Sequence, residues 1–109
     1  MVSSHRTCSR LVLHVLETLG AEIERGRKAR KMSQADLAER IGCSRNTLRA
    51  VEAGQASVEI GTFLEAAALV GIQLIGGDIP DILRRRDSAR REAALLPQPK
   101  PLAEIDDDF

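Results

Sequence analysis

Tryptophan and tyrosine are absent from the 109-residue chain, and its only aromatic residues are Phe63 and Phe109. A core without aromatic bulk must be built from Leu, Ile, Val and Ala, which suits a small helical bundle. A chain of this length makes one such core plus tails. Cysteine occurs only as Cys8 and Cys43, at no metal-like spacing. Both are expected as ordinary reduced thiols, with Cys43 half-buried in a turn. Long apolar runs are missing too, so no segment is expected to cross a bilayer. The opening stretch MVSSHRTCSRLVLHVLETLG carries charges where a signal peptide needs uninterrupted apolar residues, and the chain is expected in the cytoplasm. There is no glycine-rich phosphate loop and no metal cluster. His5 and His14 stand away from any paired acid and nucleophile, so an enzyme is disfavoured and no cofactor is implied.

An excess of one charge is also lacking: 16 basic residues balance 16 acidic ones. That balance would argue against a polyanion as partner, but the charge is unevenly spread. Between Arg25 and Arg49, the eight cations Arg25, Arg27, Lys28, Arg30, Lys31, Arg40, Arg45 and Arg49 face only Asp36 and Glu39, a local charge of plus six. The compensating acids include Glu104, Asp106, Asp107 and Asp108 at the far end. A phosphate-facing surface with an acidic tail elsewhere gives this distribution.

What is present is concentrated in Ser33 to Gly54, SQADLAERIGCSRNTLRAVEAG, which reads as two short helices joined at Gly42. Ser33 can cap the first helix, with Asp36 three residues on to answer the cap backbone, and Ser44 can cap the second. Gly42 follows Ile41 where the chain must turn sharply, a left-handed position that only glycine takes at low cost. Leu37, Ala38, Ile41, Leu48 and Val51 fall inward at three- and four-residue spacing. Ala38 supplies the small side chain that a steep helix crossing needs. Arg45, Asn46, Arg49 and Ala50 are left facing outward, three of them planar hydrogen-bond donors.

From Leu19 to Leu74, about half the chain, the sequence resembles the Xre/Cro-type helix-turn-helix family of phage and bacterial repressors. LGAEIERGRKARKMSQADLAERIGCSRNTLRAVEAG follows the family's run almost position by position. The later segment SVEIGTFLEAAALVGIQL is similar more narrowly to HipB-type antitoxins, in which the last helix is followed by a short strand. Gly26 departs from the family pattern, which has a larger apolar residue there. The resemblance implies an all-α, compact helical bundle with a phage-repressor-like DNA-binding domain, with one short dimerising β-strand as an addition. It also implies that Ser44, Arg45, Asn46 and Arg49 lie in the major groove of double-stranded DNA and that Gln34 bonds a phosphate. Arg45 or Arg49 suits guanine O6 and N7, and Asn46 suits adenine N6 and N7. Thr47, Arg27, Lys28 and Lys31 are the further candidates for phosphate contact. The helix dipole accounts for part of the basic run Arg25 to Lys31, but five cations in seven residues exceed what it needs.

The flanks are read from the residues. Positions 1–8 are short and polar and are expected disordered. Leu11, Val12, Val15, Leu16, Leu19 and Ile23 recur at helical spacing, predicting one helix from about Ser9 to about Arg30 with a bend near Gly20. After a loop from Gln55 to Glu59, a helix from Ile60 to Val70 turns Phe63, Leu64, Ala67 and Val70 inward and stops at Gly71. Ile72 to Ile75 is β-prone but too short to stand alone. Either it pairs with the same strand of a second copy across a twofold axis, or it caps the core with Ile72 and Leu74. Residues 9–77 thus form the DNA-binding and dimerisation domain. A C-terminal helix starts at Asp78 with Pro80 in its first turn and spans 78–96. Pro97, Pro99 and Pro101 stiffen a linker, and positions 97–109 end in an acidic segment that is either disordered or a docking arm.

Because one such unit touches few base pairs, selective binding requires two half-sites and hence a homodimer. Leu11, Val15, Ile72 and Leu74 are the candidates for its interface. The leading function is therefore a homodimeric, sequence-specific repressor on a palindromic operator. The HipB resemblance implies the alternative of a type II antitoxin that holds a HipA-like toxin kinase and represses its own operon. A third reading keeps the fold but binds protein only.

Overall fold

Four helix ends in this chain are built the same way, and they set the spacing of everything between them. The structure is a computed structural model and describes residues 8–100. Helix α1 runs Arg10–Ala29, α2 Gln34–Ile41, α3 Arg45–Glu52, α4 Ile60–Leu69 and α5 Ile79–Leu95. After each of α1 to α4 a left-handed residue stands, namely Lys31, Gly42, Gly54 and Gly71. The next amide then donates to the carbonyl five residues back: Met32 to Arg27, Cys43 to Ala38, Gln55 to Ala50 and Ile72 to Ala67, at 2.8 to 3.2 Å. This satisfies orphan carbonyls at each helix end and turns the chain without a long loop. Three of the four positions are glycine. Lys31, at φ 58°, adopts the same conformation with a Cβ, at a cost of roughly 1 kcal/mol.

The chain divides between Leu74 and Ile75 into two units. In the first, α2 packs on α3 and α4, and α1 packs on α3 and α4. The core is aliphatic with one aromatic: Ile23, Leu37, Ala38, Leu48, Val51, Phe63, Ala66, Ala67 and Val70 are buried. Each of the fully buried side chains Ile23, Leu37, Leu48 and Val51 stabilises the fold by about 1.5 to 3 kcal/mol. Leu64, expected inward, is instead 43% exposed, and Ala66 is buried in its stead. The reason is the helix period: Phe63, Ala66, Ala67 and Val70 form the i, i+3, i+4, i+7 stripe, and Leu64 lies one residue off it.

Helix α1 runs unbroken through Gly20, so this glycine does not end or divide it. It is a point of close approach: a Cβ there would lie 2.5 Å from the Glu52 carbonyl oxygen and 2.6 Å from that of Val51. Gly54 meets the same helix one turn earlier, where an added Cβ would stand 2.5 Å from Cα of Glu17. Gly26 is tightly packed as well, with Val70 Cβ 2.9 Å from where its own Cβ would be. The departure from the family pattern at Gly26 thus lets α1 settle directly on the end of α4.

Among the described residues there is no strand. Ile72–Ile75 is irregular in the single chain, with Ile72 half-buried and packed on the core. The second unit contains α5, begun by Asp78 and Asp81 in a reciprocal capping box with Pro80 in the first turn. No residue of α5 is buried. The readings of residues 1–7 and of the acidic segment 101–109 lie outside the described residues. No helix of the described chain is long and apolar enough to cross a membrane.

Candidate nucleic-acid interface

The two helices α2 and α3 meet across Gly42, whose φ of 77° makes the turn. At the start of α2, the Asp36 amide donates to Ser33 Oγ at 3.0 Å while the Ser33 amide donates to Asp36 Oδ2 at 2.9 Å. The hydrogen bond from the Ser33 backbone, followed by that from its side chain, holds the Asp36 carboxyl below its ordinary range. At the start of α3, Ser44 Oγ accepts from the Thr47 amide at 3.0 Å and donates to Thr47 Oγ1 at 2.9 Å. This pins the first turn of α3 and leaves the Thr47 hydroxyl proton free to donate outward. It also spends most of the Ser44 hydroxyl on the cap.

Arg45, Asn46 and Arg49 are exposed along α3, and Ala50 is half-buried beside them. Neither arginine has a carboxylate partner among the described residues, and the same holds for Arg30, Lys31 and Arg40. Two depressions lie on the surface of this unit. One is lined by Arg30, Lys31, Met32, Asp36, Glu39 and Arg40. The other lies between α3 and the following loop, where Ser44, Asn46 and Thr47 face Ser57, Glu59 and Thr62. Ser57, Glu59 and Thr62 were not among the residues the sequence singled out. The only signal was their position just after the second helix of the unit. Cys43 sits at this edge as a free, half-buried thiol, and burial pushes its pKa up.

The basic run at the end of α1 is less available than its composition suggests. Arg27, expected on a phosphate, is buried, with a side chain only 7% exposed. Its Nε and Nη2 donate to Glu52 at 2.6 and 3.1 Å, and its Nη1 donates to the Met32 carbonyl at 2.8 Å. A guanidinium so engaged cannot reach DNA. Its hydrogen bond to Glu52 pushes its pKa above the ordinary value. Glu52, which the sequence reading passed over, also accepts from Gln34 Nε2 at 3.0 Å. One carboxylate therefore ties the end of α1, the start of α2 and the end of α3, and it holds Gln34 in place at the N-terminus of α2. Arg25 pairs with Glu22 and Lys28 with Glu24, both on the exposed surface of α1. Such pairs exchange easily, so Lys28 remains open to a stronger anion.

Residues 23–75 match the model of the helix-turn-helix family. These residues are a helix-turn-helix domain of that family. Through this domain the chain is a DNA-binding transcription regulator, with DNA as its partner. No curated protein matches the chain. α3 is the second helix of this unit, and its exposed Arg45, Asn46 and Arg49 present planar hydrogen-bond donors. No group of residues that could hold a metal ion occurs among the described residues.

Proposed function

We propose that this helix-turn-helix protein is a sequence-specific repressor that binds a palindromic operator as a homodimer and performs no chemistry of its own. Arg45 and Asn46 read bases, helped by Arg49 and the remaining capacity of the Ser44 hydroxyl. Gln34, Thr47, Lys28 and Lys31 hold phosphates. The observation that carries this reading is the exposure of unpaired planar donors on α3 beside cations without carboxylate partners. Replacing Arg45 with alanine is expected to cost about 1 to 3 kcal/mol on the preferred site and to relax selection at one base pair per half-site. Lys28→Ala is expected to weaken all sequences alike and to flatten the salt dependence by about one. Selection of bound duplexes from a random pool, followed by salt titration of each variant, checks both. Equal losses on selected and random DNA for Arg45→Ala would remove it from the base readers.

The homodimer is supported by an apolar surface that the first unit leaves open. Leu11 is 72% exposed, Val15 55% and Leu74 48%. Val15, Leu19, Ile72 and Leu74 line one groove with His14, Thr18 and Glu22 at its edges. No backbone hydrogen bond of Gln73 or Leu74 is made among the described residues. An apolar groove next to unpaired backbone is what a two-stranded ribbon across a twofold axis would cover. Leu74→Asp, or Val15→Asp on the facing helix, is expected to convert the dimer to monomer by light scattering. The same change should lower operator affinity at least about tenfold, because one half-site is lost. An unchanged dimer mass would place the interface elsewhere. A kinase that co-purifies in equal amount from the native host would move the reading to the antitoxin.

A further inference from the structure

Helix α5 carries a concentration of arginine that neither its own fold nor its dipole accounts for. Arg84, Arg85, Arg86, Arg90 and Arg91 fall within eight residues whose only acid is Asp87. All five are exposed. Arg84 pairs with Asp81 and Arg86 with its neighbour Asp87, on side chains that are 44% exposed or more. Arg85, Arg90 and Arg91 have no carboxylate partner among the described residues. The last turn of the helix holds no cation, so the arginines are not placed where the macrodipole would favour them. Arg86 and Arg90, four apart, repel one another along one face, a small cost to an isolated helix. A helix with no buried residue gains little from packing to offset this.

We propose that α5 is a second DNA-binding element, a sequence-independent arm whose arginines hold phosphates of the duplex read by the recognition helix. The proposal rests on the DNA-binding role of the helix-turn-helix domain. Charge complementarity selects the partner. Every cation in α5 is arginine, and the guanidinium fork matches two phosphate oxygens where an ammonium offers a point charge. Arg84 and Arg91, seven apart, share one face, and Arg86 and Arg90 share another, so the helix can engage more than one phosphate at a time. The local pairs to Asp81 and Asp87 are solvent-exposed and give way to a phosphate at little cost. Binding also relieves the repulsion between Arg86 and Arg90.

The test uses the full chain with Arg84, Arg85, Arg86, Arg90 and Arg91 all replaced by glutamine, and a companion in which all five become lysine. Affinity for a random-sequence duplex and for a selected site is measured across a salt series, with helicity followed by circular dichroism. The glutamine variant is expected to keep its fold and to weaken on both duplexes by the same factor. Its salt slope should fall by about two, the value for two lost phosphate contacts. The lysine variant is expected to keep the slope of the wild type. A glutamine variant with wild-type slope and affinity overturns the proposal while leaving the helix-turn-helix reading intact. A lysine variant whose salt slope falls as far as that of the glutamine variant overturns it too, because the slope counts charges and charge is then not the cause. A wild-type chain with no salt-dependent affinity for DNA would remove the DNA-binding role itself, and the arm with it.

Discussion

Replacing Glu52 with alanine is expected to destabilise the first unit by about 3 to 5 kcal/mol, the cost of leaving a buried charge without its partner. The Glu52 side chain is 5% exposed and that of Arg27 7%, so water cannot substitute for the lost carboxylate. Three donors lose their acceptor at once: Arg27 Nε, Arg27 Nη2 and Gln34 Nε2. In a domain of this size the loss lowers the melting temperature by some 4 to 8 °C per kcal/mol. Thermal and urea unfolding read it directly. Combining Glu52→Met with Arg27→Met should recover most of the stability, because apolar side chains of similar volume need no partner. A loss below about 1 kcal/mol for Glu52→Ala would mean that the pair is solvated in solution. DNA binding should suffer along with stability, since Gln34 loses the contact that orients it.

Gly54→Ala is expected to cost about 2 to 4 kcal/mol, by two effects at the same atom. Its φ of 75° is left-handed, which adds roughly 1 kcal/mol or more for any residue with a Cβ. The new Cβ would also stand 2.5 Å from Cα and 2.7 Å from the amide nitrogen of Glu17. Backbone cannot move aside as a flexible side chain does, so α1 must shift from α3, an overpacking cost of about 1 to 3 kcal/mol. Gly42 separates the two effects. It has a similar φ of 77°, but nothing lies within 4 Å of an added Cβ. Gly42→Ala should therefore show the conformational cost alone. Equal losses at Gly42 and Gly54 in urea unfolding would show that the contact with α1 contributes nothing.

Both results concern positions that the sequence does not mark as special, whereas the helix-turn-helix unit itself is legible in it. Ser33, Asp36, Gly42 and Ser44 act on backbone groups within three residues of themselves, so their roles follow from type and spacing. The inward set Leu37, Ala38, Leu48 and Val51 follows from the helix period, and the outward stripe of Arg45, Asn46 and Arg49 is what remains. The period is less decisive on α4, where Leu64 and Ala66 compete for one face of an Ala-rich helix. Lys31 was hidden for another reason. A left-handed helix end is usually announced by glycine, and here a lysine adopts it because the hydrogen bond from Met32 to the Arg27 carbonyl holds the turn.

Arg27 is the clearest failure of one-dimensional reading. In sequence it is one of five cations in a basic run, indistinguishable from Lys28 or Lys31. In the fold it is turned inward to a carboxylate 25 residues away, and its charge is withdrawn from the surface. Gly20 and Gly54 belong with it, since the need for a missing Cβ arises only where two backbones meet. The sequence by itself determined the helices, their caps, the turn and the outward donors of α3, because these depend on interactions within one or two turns of chain. Tertiary structure alone decided which cations remain free for DNA and which glycines set the distance between helices. Those properties depend on groups far apart in the chain, brought together only when the core closes.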